Sequence, residues 1–187
     1  MNKVEKELII FMDCGDTIID ESTEIRDENE VVIKADVIPN ADKVVKELAE
    51  RGYRLALVAD GLAQSFKNML TDHRIYDCFE AMIYSETIKV RKPDAKMFKA
   101  ALGALDLSME DCYRVVMVGN NLSRDILGAN HLGITSIFLD WSPRYPKEPA
   151  NEMEQPDYTI HEAKQLLTLV EHLNEKVTKQ QKKADVK

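Results

Sequence analysis

The run Leu8-Ile9-Ile10-Phe11-Met12, followed at once by Asp13, constrains this chain more than any other feature. Five apolar residues in succession lack the polar alternation of a half-exposed strand. They fit a strand buried on both faces, and such strands belong to parallel sheets covered by helices on either side. The acidic turn behind it, Asp13-Cys14-Gly15-Asp16, marks the carboxyl end of the strand as the place where polar chemistry begins.

The pattern recurs along the chain. Pro39 and Asn40 open a helical stretch with Val44, Val45 and Leu48 apolar, closed by Gly52 as a C-terminal cap. Tyr53 to Ala59 reads as a second buried strand, broken at Asp60-Gly61. A helix from Ala63 to about His73, a strand at Ala81 to Tyr84 and a helix from Asp94 to Leu105 behind Lys92-Pro93 come next. Arg114 to Val118 is a further apolar strand, broken at Gly119-Asn120-Asn121, with a helix from about Ser123 to His131 closed by Gly133. Strands at Thr135 to Leu139 and Tyr158 to Ile160 and a helix from Glu162 to Leu173 complete the series. Strands alternating with helices predict an α/β fold with a mostly parallel sheet and right-handed crossovers. In such sheets ligands gather at the carboxyl ends of the strands, so the breaks at Asp13, Asp60, Lys92 and Asn120 should converge in one crevice.

A length of 187 residues fits a single domain, placed at residues 1–175. Residues 21–36, with a turn-like Asp27-Glu28-Asn29-Glu30 between apolar stretches, read as a small projecting hairpin or flap. Residues 142–156 carry four prolines, Pro143, Pro146, Pro149 and Pro156, and read as an irregular loop. The polar, lysine-rich end, 176–187, is expected to fray. A net charge of -8 argues against general binding to nucleic acid or anionic lipid. The three cysteines, Cys14, Cys78 and Cys112, show no zinc spacing. With no early apolar run of membrane-spanning length, they point to a cytoplasmic protein.

Four motifs in order resemble those of the haloacid dehalogenase superfamily. They are Asp13-Cys14-Gly15-Asp16-Thr17, Ala59-Asp60-Gly61, Lys92-Pro93 ahead of a helix with Phe98, and Val118-Gly119-Asn120 followed by Asp125 and Gly128-Ala129. The resemblance runs from about residue 7 to 173. It implies a doubly wound, three-layer Rossmann-like fold and a magnesium-dependent phosphoric-monoester hydrolase that forms an acyl-phosphate on an aspartate. Carried over by position, it assigns Asp13 as nucleophile and Lys92 as the cation that neutralises nucleophile and phosphate together. Thr17, Asp60, Gly61 and Lys92 become the phosphate-binding groups. Asp13, the Gly15 carbonyl and Asn120 become ligands of Mg2+, with Asp125 in the outer shell. Asp60 and Gly61 would present their N–H groups to the anion from a turn into a helix.

The chain also departs from the family pattern. Gly15 stands where the family has its general acid and base, Ala59 replaces a phosphate-binding Ser or Thr, and Asn120 replaces an acidic metal ligand. Asp16, at a position usually held by Gly, reads as a turn or surface carboxylate, Asp20 as structural, and Cys14 as an apolar filler. Between Thr17 and Pro39 there is no room for a large cap domain, so the hairpin is the only lid candidate. Trp141, Arg144 and Tyr145 lie where they could flank the crevice. An open cleft admits a small-molecule phosphate ester or a phosphorylated macromolecule. Two further readings stay open at this point: a catalytically weak or inactive binding or regulatory protein on the same fold, and a 2-haloacid dehalogenase.

Overall fold

The computed structural model describes residues 6–184. The first buried run forms β1 (Ile9–Met12). The short strands β2 (Ile25–Arg26) and β3 (Val32–Lys34) pair antiparallel as a ribbon. Helix α1 (Ala41–Glu50), strand β4 (Arg54–Ala59), helix α2 (Ala63–Asp72), strand β5 (Ala81–Tyr84), the single turn α3 (Ser85–Ile88) and helix α4 (Ala95–Ala104) follow. Next come β6 (Val115–Gly119), α5 (Leu127–His131), β7 (Thr135–Leu139), β8 (Tyr158–Ile160) and α6 (Gln165–Ala184). The helix expected from about Ser123 begins instead as a wide π-helical turn, Leu122–Ile126, that runs into α5.

The six long-range strands lie side by side in the order β5-β4-β1-β6-β7-β8, and every pairing among them is parallel. Strand β1 sits between β4 and β6, with Met12 in register with Leu57 on one side and Val118 on the other. Its four side chains alternate between two separate apolar layers. Ile10 and Met12 pack with α1, α2 and α6 through Val45, Leu48, Leu70 and Val170. Ile9 and Phe11 face α4 through Met97, Phe98 and Ala101. A strand covered on both faces has no polar positions to offer, which is why this segment contains none.

The structure corrects one expectation at the C-terminus. α6 continues past Leu173 to Ala184 instead of fraying from Lys176. Val177 extends the stripe made by Leu166, Val170 and Leu173 and is buried against the core, so the apolar period outlasts the change in composition. Among the described residues no helix is long and apolar enough to cross a membrane, and no disulfide joins any of the three cysteines.

Candidate active site

The carboxyl ends of β1, β4 and β6 open onto a cleft of about 640 Å³, a size suited to a small organic ligand. Asp13, directly after β1, is fixed by its own N–H, which donates to the Val118 carbonyl at 2.9 Å. Lys92 reaches across from the loop ahead of α4. Its ammonium lies 2.7 Å from Asp13 Oδ1 and 2.7 Å from Asp125 Oδ1. Burial works against the charge on Lys92, but the attraction of Asp125, Asp13 and Asp60 outweighs it and holds the amine protonated well above its ordinary range. Burial, and then the charge of Asp13, push the Asp125 carboxyl up against the pull of Lys92.

Asp125 projects from the π-helical turn, and its second oxygen accepts the N–H of Asn121 at 3.1 Å. Gly119 makes room for it, since a methyl group on that residue would lie 2.3 Å from the Asp125 carboxyl. Asn120 and Thr17 are both buried, and Asn120 Nδ2 and Thr17 Oγ1 have no hydrogen-bond partner among the described residues; Asn120 lines the cleft, whereas Thr17, expected among the phosphate-binding groups, is not among its lining residues. Asp60 accepts the Lys92 backbone N–H at 3.1 Å, and its buried carboxyl is pushed up chiefly by desolvation. Gly61 departs from expectation. Its N–H donates to Ser85 Oγ at 3.0 Å because the turn after β4 packs onto α3, so that amide is already engaged and does not face an anion.

The turn after Asp13 is wound tightly around the Cys14 carbonyl, which accepts the N–H groups of Thr17, Ile18 and Ile19. Asp16 adopts a left-handed backbone, φ 48°, which accounts for the resemblance to a position usually held by glycine. It is a turn residue as expected, but not a surface one. Buried to 1% exposure, its carboxylate accepts the Glu21 N–H at 3.0 Å, Ser142 Oγ at 2.8 Å and Arg144 Nε at 2.6 Å. Asp20 caps the short 3₁₀ turn Glu21–Thr23 through the Ser22 N–H. Cys14 is buried, and desolvation drives its thiol well above the ordinary range, so it is a filler and not a nucleophile.

Sequence reasoning gave no role to Glu21, and only a flanking one to Arg144. Arg144, in the proline-rich loop, ties Asp16 to Glu21, whose Oε2 lies 3.3 Å from Arg144 Nε. Burial pushes the Glu21 carboxyl up to about 7, helped by the charge of Asp16 and opposed by Arg144. Tyr145 lines the cleft and stacks under Arg124 at 5.8 Å, whereas Trp141 packs against the core. The ribbon β2–β3 lies along α2, where Val32 donates to Ser65 Oγ at 2.9 Å and Asn68 Nδ2 donates to the Val32 carbonyl at 2.9 Å. It thereby brings Glu24, Arg26 and Glu30 to the cleft rim.

The model of the family described as haloacid dehalogenase-like hydrolase matches residues 9–139. The chain belongs to this family. Among relatives of the haloacid dehalogenase-like hydrolases, it is 33% identical over 138 residues to a glyceraldehyde 3-phosphate phosphatase of Methanopyrus kandleri, covering 74% of this chain and 56% of the relative. It is 31% identical over 137 residues to the protein of the same description from Pyrococcus furiosus, covering 73% and 55%. The chain thus spans a little over half the length of these two relatives. YfnB from Bacillus subtilis, solved bound to magnesium, has the same fold with a TM-score of 0.70 at 14% identity, covering 88% of this chain and 99% of that one.

Proposed function

We propose that this haloacid dehalogenase-like hydrolase is a magnesium-dependent phosphatase acting on small phosphate monoesters through an aspartyl-phosphate at Asp13. The observation that carries the reading is the Lys92 ammonium, buried and held 2.7 Å from Asp13 at the floor of a cleft of small-molecule size. Asp13 attacks phosphorus and the ester oxygen leaves. Water then attacks the acyl-phosphate and frees the carboxylate. Lys92 orients Asp13, and its charge offsets the one that accumulates on the phosphoryl oxygens.

The residues present fit a hard cation. Asp13, the Gly15 carbonyl and Asn120 are all oxygen donors. Asn120 lines the cleft, where its amide oxygen is the atom that would meet a cation. The turn hydrogen bonds run through the carbonyl of Cys14 and the N–H of Asp16, leaving the Gly15 carbonyl outside them. Asp125 supports the group from behind through Lys92. Bound there, magnesium would supply positive charge to the phosphoryl oxygens, with Asp13 as the anionic ligand. The test is a panel of phosphate esters assayed with magnesium, wild type against Asp13→Asn. Turnover in wild type that is lost in the variant supports the reading. No turnover on any ester, or activity that survives in Asp13→Asn, overturns it.

A further inference from the structure

We propose that Glu21 is the general acid and base of this site. The inference rests on the phosphatase reading above and adds the residue that handles the proton.

The geometry begins at Gly15. A methyl group built on its Cα would lie 1.8 Å from Glu21 Oε1, 2.7 Å from Cδ and 3.0 Å from Cγ. The Glu21 carboxyl therefore fills the notch beside the backbone of Gly15, two residues after the nucleophile, and both residues line the same cleft as Asp13. Glu21 is held there from two sides. Its backbone N–H donates to Asp16 Oδ1 at 3.0 Å, and its Oε2 meets Arg144 Nε at 3.3 Å, which leaves Oε1 as the oxygen turned to Gly15. Its side chain is 31% exposed, buried enough to be oriented and open enough to reach a substrate.

Most other carboxylates in and beside the cleft are engaged elsewhere. Asp125 is held between the Lys92 ammonium and the Asn121 N–H. Asp16 is saturated by Ser142, Arg144 and the Glu21 N–H. Asp60 accepts the Lys92 N–H through Oδ1, while its Oδ2 is closed off from solvent and has no hydrogen-bond partner, which makes Asp60 the rival carboxylate that the test must exclude. Glu24 pairs with Arg26, Glu86 accepts the Ala63 N–H at 2.8 Å, and Glu30 lies in the turn between β2 and β3.

In the first half-reaction the bond from Asp13 Oδ to phosphorus forms as the bond from phosphorus to the ester oxygen breaks. The proton of the Glu21 carboxylic acid passes to that oxygen, releasing the alcohol. In the second, the oxygen of water bonds to phosphorus while the bond to Asp13 breaks. Its proton returns to the Glu21 carboxylate, giving inorganic phosphate and the starting enzyme.

Help from an acid matters most when the leaving group is a poor one. The test is kcat/KM of wild type and Glu21→Gln on p-nitrophenyl phosphate and on a simple alkyl phosphate. Glu21→Gln keeps the shape and the contact to Arg144 but carries no transferable proton. We expect it to lower alkyl ester turnover by about 10²- to 10⁴-fold and p-nitrophenyl ester turnover by less than about 10-fold. The double variant Gly15→Asp with Glu21→Gln should regain alkyl ester activity, because the new side chain only has to displace the movable end of residue 21. An equal loss on both esters, or no loss, overturns the assignment to Glu21 while leaving the phosphatase reading intact. So does the same leaving-group selectivity appearing in Asp60→Asn instead. Absence of turnover in wild type, or turnover insensitive to Asp13→Asn, overturns the phosphatase reading itself and the inference with it.

Discussion

Lys92 holds two carboxylates at once, Asp13 and Asp125, each 2.7 Å from its ammonium. Removing it leaves a nearly fully buried carboxylate facing a second one with no counter-charge, and breaking such a pair costs about 3–5 kcal/mol. Lys92→Met is therefore expected to lose activity and to lower the unfolding free energy measured by urea denaturation by that amount. A variant as stable as wild type would show that the two acids hold each other by sharing a proton. Asn120 tests the metal side. It donates an oxygen but no charge, so Asn120→Asp should lower the magnesium concentration for half-maximal activity by about tenfold, since cation affinity follows the charge of the ligand set. Unchanged magnesium dependence would remove Asn120 from the ligands. Asp13, Lys92, Asn120 and Asp125 could be picked out from sequence because each follows a strand end or opens a helix at fixed spacing. Glu21 could not, because its carboxyl acts through space on Gly15, and a glycine in a motif does not announce which side chain occupies the volume it vacates.

At the scale of elements, the strands were legible and the attachments between elements were not. An unbroken apolar run bounded by Gly, Asp or Asn carries its own start and stop, and β5, β7 and β8 lie where the pattern puts them. The long α6 was cut short by reading lysines as disorder when Val177 still obeyed the helical period. The ribbon β2–β3 was visible as a hairpin, but its docking on α2 depends on a serine in a helix, a residue that sequence alone treats as ordinary. Ser65 is buried, and its hydroxyl is the partner of the Val32 N–H. Ser65→Ala would leave that buried donor unsatisfied at a cost of about 1–3 kcal/mol. The expected outcome is faster amide exchange at Val32 together with a lower urea midpoint. Exchange at Val32 as slow as in wild type would mean that Asn68 alone holds the ribbon to the helix.

The whole molecule carries a net charge of -8, and Glu21, Glu24 and Glu30 are among the residues that line the cleft. A phosphate monoester is a dianion near neutral pH, so it approaches against the overall field and meets its strongest short-range attraction at Lys92, which is buried at the floor. Charges on the rim and surface are screened by salt, whereas a buried pair such as Lys92–Asp13 is screened much less. Raising ionic strength from about 10 mM to about 150 mM shortens the Debye length from about 30 Å to about 8 Å, which removes most of the repulsion and keeps the short-range attraction. At fixed free magnesium, kcat/KM should therefore rise by about two- to threefold over that range, the reverse of an electrostatically steered enzyme. The measurement is a salt titration with p-nitrophenyl phosphate. A fall from the lowest salt onward would mean that Lys89, Arg91 and Arg124 at the cleft wall dominate the field the substrate feels. The molecule would then draw anions in despite its net charge.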